Sequence, residues 1–179
     1  MTLNARKGVM NGRLQPTDSW DVFVHAGNAA HKACSDGNAA ALDAGLDATR
    51  AFLTIADEEY AGRHAGDILA SVAAKGLSGR PKAVERSTEC CMLLIELEQA
   101  EAVLDMLLKV TMHKVPKVAL AAANAVLMAV QTFGTPKVVP PNMILKGLAP
   151  LFDAKDAKVR AVAKDITLEM VKWLGPGAV

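Results

Sequence analysis

The sequence contains 179 residues, and its 20 Lys and Arg residues nearly balance its 19 Asp and Glu residues, which gives a formal net charge of +1 at pH 7. This balance argues against a protein that wraps nucleic acid, and the 4% of aromatic residues are too few for platforms on which bases stack. Hydrophobic residues make up 51% of the chain, which excludes a disordered tail. Because alanine, the best helix former, supplies much of this apolar share, the composition predicts a soluble, helical protein of the cytosolic type.

The first 17 residues contain cations but no acidic residue. This composition faintly resembles a mitochondrial presequence, but two glycines and a proline in the segment disfavour the amphipathic helix that such a signal needs. We therefore predict a flexible N-terminal arm over 1–19 and a folded array over 20–179. No run of apolar residues approaches the roughly 18 that a membrane span requires, so we expect no membrane partner.

The cysteines predict no disulfide framework, because two of the three, Cys90 and Cys91, are adjacent in the chain. Both lie in an apolar stretch and are predicted to be small core residues, and reduced thiols fit the cytosol. His31 and Cys34 stand three residues apart, as two zinc ligands on a helix can. No second pair of residues has ligand spacing, so we expect no metal site.

Apolar residues recur at intervals of three and four along most of the chain, which is the period of an α-helix buried on one face. No segment shows the sustained alternation of a half-buried strand. The periodic segments, in chain order, are 68–77, 84–95, 103–108, 118–133, 144–151 and 159–173. The pattern predicts an all-α fold.

The predicted helices form pairs, and the second helix of each pair follows a similar short polar turn. The equivalent positions after these turns are Ala39, Pro81, Pro116 and Ala157, which lie 42, 35 and 41 residues apart. Proline is tolerated in the first turn of a helix, and repeats of about 40–47 residues are typical of the HEAT/armadillo class. We predict a right-handed solenoid of antiparallel helix pairs with four repeats, over 20–55, 61–97, 100–133 and 139–174.

In a solenoid of helix pairs, the turns inside successive repeats line up along one edge. Three of the four turns carry cations, seven of the 20 in the chain, and the first turn carries none. The seven are Arg80, Lys82, Lys114, Lys117, Lys155, Lys158 and Arg160. A single lysine in a turn is usually only a solvated surface group. Recurrence at equivalent places instead predicts a positive ridge that can dock an acidic protein surface.

Residues 78–174 resemble a TOG domain, the HEAT-repeat domain of the ch-TOG-type microtubule polymerases, and most resemble its first copy. The resemblance is carried by Pro-Lys motifs at the predicted helix starts, by Phe133-Gly134, and by a Leu-x-Pro-x-Phe and a Val-Arg-x-x-Ala-Lys segment in that order. These last two are Leu148-Ala149-Pro150-Leu151-Phe152 and Val159-Arg160-Ala161-Val162-Ala163-Lys164. The family's domain has six repeats, and this chain matches about four of them. Trp20 begins a helix pair instead of filling the place of the family's tubulin-gripping tryptophan.

The resemblance implies a non-enzymatic module that binds αβ-tubulin at the microtubule plus end, through the same seven cations. It also implies a role in microtubule polymerisation and spindle organisation, and a cytoplasmic location on the cytoskeleton, at microtubules and at the spindle pole or centrosome. No cofactor and no nucleic acid are implied.

The residues themselves leave one other function open. The same solenoid can be a general HEAT-repeat scaffold that holds a partner peptide in its concave groove, with no tubulin involved. An enzyme is disfavoured, because neither His64 nor His113 has a spacing that pairs it with a nucleophile. The glycines of 76–79 also lack the strand and the GK[ST] sequence of a phosphate loop.

Overall fold

The structure is a computed structural model, and it describes residues 38–175, Gly177 and five residues between 25 and 34. The predicted arm over 1–19, Trp20, His31 and the Asp36-Gly37 turn lie outside the described residues.

Seven α-helices account for most of residues 38–175, and that range contains no β-strand. In chain order they are α1 (Ala39–Ile55), α2 (Glu58–Ser71), α3 (Pro81–Glu96), α4 (Ala100–Thr111), α5 (Pro116–Phe133), α6 (Pro141–Phe152) and α7 (Ala157–Leu174). A single π-helical turn, Val72–Gly76, extends α2. The all-α prediction is confirmed, and each of the four equivalent positions proposed from the sequence is the first residue of a helix.

The helix starts are specified locally. Asn38 accepts a hydrogen bond from the backbone N–H of Ala40 at 2.8 Å, and Asp156 accepts one from that of Lys158 at 2.7 Å. Such side chains satisfy N–H groups that the first helical turn leaves without partners. The helices α3, α5 and α6 instead begin with proline, whose fixed φ suits the first helical position and whose missing N–H costs nothing there.

The Phe133-Gly134 motif marks the end of α5. Gly134 has φ 70°, in the left-handed region that glycine adopts readily. A Cβ at this position would lie 2.9 Å from ring atoms of Trp173, so glycine also lets the indole of α7 close over the end of α5.

Three helix pairs stack side by side. α4 packs extensively on α5, α6 on α7, and α2 with its π-helical turn reaches α3. Among the second helices, α3 packs closely on α1 and α7 on α5, whereas α3 and α5 touch only slightly. The interior is apolar, with Leu46, Leu94, Leu104, Ile144 and Ile166 fully buried. Each such side chain contributes about 1.5–3 kcal/mol on leaving water.

Cys90 and Cys91 are core residues, as predicted, and Cys34 is buried as well. Cys34, Cys90 and Cys91 are buried and free, and the Cys34 Sγ lies 3.1 Å from the hydroxyl of Thr49. Burial raises the pKa of Cys91 to about 12 and also raises the pKa of Cys90. Such thiols are protonated at neutral pH and therefore poor nucleophiles.

The expectation about apolar runs is wrong for α5. Pro116–Phe133 has 18 residues and is apolar enough, by length and composition alone, to cross a membrane. Much of α5 is buried by the helices around it, and its buried residues are mainly alanine and valine. A core helix in a stacked array meets the same criterion, which explains why its sequence passes.

A basic ridge of intra-repeat loops as the candidate functional site

Three short loops join the first and second helices of the repeats and lie at one edge of the array. They are loop I (77–80), loop II (112–115) and loop III (153–156). Each is about four residues long, so the helices on either side run back along each other and the stacked repeats bring the loops into one row. We call these loops, with the first turns of the helices that follow them, the loop ridge. It contains all seven predicted cations.

Lysine recurs at one helix position along the loop ridge. Lys82, Lys117 and Lys158 are each the second residue of α3, α5 and α7, and the first turns of these helices contain no acidic residue. The N-terminus of a helix carries a partial positive charge, so a cation there is unfavourable by about 0.3–1 kcal/mol. Three cations at the same unfavourable position are therefore not explained by the stability of the helices.

Arg80 ties loop I to α1. Its Nη2 lies 2.7 Å from the carboxylate of Asp43 and donates a hydrogen bond to the carbonyl oxygen of Ala39 at 3.2 Å. The Arg80 side chain is 59% exposed, while that of Asp43 is 18% exposed. The predicted contact residue is thus already paired with an acidic side chain of the neighbouring repeat.

Two other ridge cations also bind backbone. The Nζ of Lys117, at the start of α5, donates to the carbonyl oxygen of Gly79 in loop I at 3.1 Å. Nη1 of Arg160 donates to the carbonyl oxygens of Ala154 at 2.7 Å and Lys155 at 2.9 Å, which closes loop III onto α7.

The remaining four cations point into water. They are Lys82, Lys114, Lys155 and Lys158, all exposed, and none forms an ion pair with another residue of the described part of the chain. The structure therefore places the seven predicted residues on one edge and separates them into three that hold loops and four whose charge is unpaired.

Exposed apolar side chains accompany the lysines, and the sequence reasoning missed them. Met112 is 63% exposed, Val115 43% and Phe152 40%, and they lie in or beside loops II and III. Met112 and Val115 lie in loop II, outside the apolar period of any helix, and Phe152 is the last residue of α6. Apolar groups ringed by polar ones are typical of protein-binding surfaces.

The opposite edge of the array is mainly acidic, although the connection between α5 and α6 contains the exposed cation Lys137. The connections between repeats, with the first turns of α2 and α4, carry acidic residues: Asp57, Glu58, Glu59, Glu98 and Glu101. The second residues of α2 and α4 are Glu59 and Glu101, the positions that lysine holds on the loop ridge. A cavity of about 580 Å³ lies at this edge, lined by Phe133, Val138 and glutamates, and no ridge residue contributes to it.

The fold is that of a TOG domain. Residues 6–179 match the XMAP215/Dis1/CLASP family, TOG domain, and the chain belongs to this family. The structure confirms the solenoid: it superposes with a TM-score of 0.78 on a chain from the work titled "Structural Basis of Tubulin Recruitment and Assembly by Microtubule Polymerases with Tumor Overexpressed Gene (TOG) Domain Arrays". That match covers 97% of this chain and 38% of the other, at 20% sequence identity.

Among its relatives, the chain is 42% identical to Protein MOR1 of Oryza sativa subsp. japonica over 144 residues, which are 80% of this chain and 7% of that protein. It is 40% identical to Protein MOR1 of Arabidopsis thaliana over 149 residues, 83% of this chain and 7% of that protein. It is 33% identical to Protein mini spindles of Drosophila melanogaster over 141 residues, 78% of this chain and 7% of that protein. The chain thus spans less than a tenth of the length of these relatives.

Proposed function

We propose that this chain is a non-enzymatic module that binds αβ-tubulin through the loop ridge. The observation that carries the proposal is the lysine at the second position of α3, α5 and α7, where a cation opposes the helix dipole. A local electrostatic rule broken three times on one edge indicates a surface selected for a partner and not for folding. Membership of the TOG family and the tubulin named for the structural relative support the choice of partner.

Charge brings the partner to the ridge. An array of unpaired lysines attracts an acidic surface, raises the rate of encounter and orients the complex. Each exposed charge pair contributes only about 0–1 kcal/mol, so several must act together. The N-termini of α3 and α5 have no side-chain cap, and their free N–H groups add to the positive potential that an incoming carboxylate meets.

Apolar contact holds the partner once it has arrived. Met112, Val115 and Phe152 leave water only if another surface covers them, at about 25 cal/mol for each Å² buried. In this arrangement the lysines form the wet rim and the apolar tips form the centre of the interface. The seven cations proposed from the sequence all belong to this surface, although they contribute in different ways.

In the cell, such a module supports microtubule growth at the plus end and spindle organisation when several copies act in tandem. We propose that one such module acting alone binds αβ-tubulin and sequesters it instead of driving polymerisation. The proposed location is the cytoplasm, on microtubules and at spindle poles or centrosomes. Relatives named for the centrosome and the spindle pole body support this location.

The test is co-elution of the chain with αβ-tubulin by size exclusion, at low salt and again at raised salt. We expect a complex at low salt that weakens as salt screens the exposed charges. The variant Lys114→Glu/Lys117→Glu/Lys158→Glu should lower the affinity about 30-fold, because three positive charges of the ridge become negative and Lys117 also loses its hydrogen bond to Gly79.

The matched control carries the same change of net charge away from the ridge. Three exposed lysines lie away from the ridge: Lys137 on the opposite edge, Lys146 on α6 and Lys164 on α7. Reversing all three to Glu should leave the affinity within about twofold of that of the wild type. Equal losses in both variants would show that net charge alone attracts tubulin. Equal affinity of the ridge variant and the wild type would refute the ridge and favour a partner in the concave groove.

A further inference from the structure

Loop I is held from both sides by side chains of other repeats. On one side, the Arg80 guanidinium of the loop reaches Asp43 and the carbonyl oxygen of Ala39, both in α1. On the other side, Lys117 of α5 donates to the carbonyl oxygen of Gly79. These contacts join residues 37 to 41 positions apart and link three successive repeats along the ridge.

The link matters because the second helices α3 and α5 make a smaller contact with each other than the other neighbouring second helices do. The helices α1 and α3 pack closely, as do α5 and α7, but α3 and α5 barely touch. The repeats that carry loops I and II are joined mainly through α4, which contacts α2, its π-helical turn and α3. The hydrogen bond from Lys117 to Gly79 adds to the small contact between α3 and α5 at the ridge itself.

Arg80 is also poorly placed to act as a free charge. Its guanidinium lies 2.7 Å from a carboxylate, so the pair presents little net charge to an acidic partner. Separating the pair to bind a partner would leave Asp43, which is only 18% exposed, with just the longer contact of 3.9 Å to the guanidinium of Arg86.

We propose that Arg80 and Lys117 are positioning residues of the binding surface, which set loop I at the spacing that the partner requires, while Lys82, Lys114, Lys155 and Lys158 make the contacts. This inference rests on the proposed tubulin binding and assigns roles within it. The inference predicts that loss of Asp43 weakens binding of an acidic partner, because Asp43 holds Arg80 in place. If charge alone decided the affinity, loss of the acidic Asp43 would instead strengthen binding.

The decisive variant is Asp43→Ala, measured for αβ-tubulin affinity at low salt. If Arg80 were a contact residue, removing its acidic partner would free a cation and tighten binding. If Arg80 positions the loop, we expect the affinity to fall about fivefold, the effect of losing one ion pair of moderate strength. The variant should fold, because one Asp43 carboxylate oxygen is buried without a hydrogen-bond partner, alanine favours helix, and Arg86 keeps Asp47 at 2.5 Å.

Asp153→Ala is the matched control. Asp153 is exposed in loop III and forms no ion pair within the described residues, so this change removes one negative charge from the ridge without releasing a loop. We expect its affinity to be equal to that of the wild type or higher. A gain of affinity in both aspartate variants would overturn the positioning role.

Two further measurements distinguish a role of Asp43 in positioning loop I from a nonspecific structural defect caused by its replacement. Asp43→Glu keeps the carboxylate and should restore most of the affinity, whereas a merely structural defect at this site would persist. In a cycle with Arg80→Ala, the double variant should bind about as well as either single variant, since both break one contact. Additive losses would show that Arg80 touches the partner directly. Absence of binding by the wild-type chain would refute the proposed function itself, a result distinct from a gain of affinity in Asp43→Ala.

Discussion

Helices begin at both edges of the array, and their N-termini carry opposite charges at the two edges. The acidic ones are those of α2 and α4, and the basic ones are those of α3, α5 and α7. On the opposite edge, Glu59 and Glu101 occupy the second position of α2 and α4, where a negative charge stabilises the helix N-terminus. On the loop ridge, lysine occupies that position in α3, α5 and α7 and opposes the same dipole. The charges at the opposite edge therefore stabilise the helices, whereas the charges on the loop ridge destabilise them. The comparison distinguishes residues that stabilise the fold from residues that we propose to bind a partner.

The largest expected effect is on the opposite edge and concerns stability alone. Gly134→Ala places a side chain at φ 70° and drives its Cβ towards the Trp173 ring. We expect the free energy of unfolding to fall by about 2–3 kcal/mol in chemical denaturation. The folded fraction should still bind tubulin with wild-type affinity. A large loss of affinity in the folded protein would show that the two edges are not independent.

Reversing an acidic helix start should have a smaller effect of the same kind. Glu101→Lys replaces a favourable charge in the first turn of α4 with an unfavourable one, so stability should fall by about 1 kcal/mol. Tubulin affinity should change little, because Glu101 lies across the array from the ridge. Denaturation and binding measured on the same preparation provide the check, and the stability loss should shrink as salt is added.

The apolar tips of the ridge should show the reverse pattern. Met112→Ser removes a side chain that is 63% exposed, so the stability of the free domain should not change measurably. Tubulin affinity should fall about three- to fivefold through lost apolar contact, with no change in its salt dependence. A reduced salt dependence would mean that Met112 acts by placing a lysine and not by its own contact.

Much of the fold was accessible from the sequence because its signals are local. Ala39, Pro81, Pro116 and Ala157 were identified as equivalent from the turns before them, and each begins a helix. Capping residues, prolines in first turns and the helical period act within a few positions of the chain, so no knowledge of packing was needed. The seven ridge cations were found in the same way, by recurrence at equivalent places.

The division of those cations was not accessible from the sequence. Arg80 finds Asp43 37 residues earlier and Lys117 finds Gly79 38 residues earlier, so both pairings depend on how the repeats stack. The small contact between α3 and α5 was equally hidden, because each helix has a normal apolar face. The expectation that no segment is apolar enough to span a membrane failed for α5. Its composition suits a membrane span as well as a buried helix in an array.

The most direct test measures stability and binding on one variant, Lys82→Glu/Lys158→Glu. Both side chains are exposed and form no ion pair in the described structure. Each is the second residue of its helix, where a positive charge opposes the helix dipole. We expect the free energy of unfolding to rise by about 1–2 kcal/mol, because the new charges favour the helix dipole. We expect the affinity for αβ-tubulin to fall about tenfold in the same protein. Unchanged affinity, or a loss of stability together with the loss of binding, would contradict the claim that these lysines destabilise their helices and bind the partner.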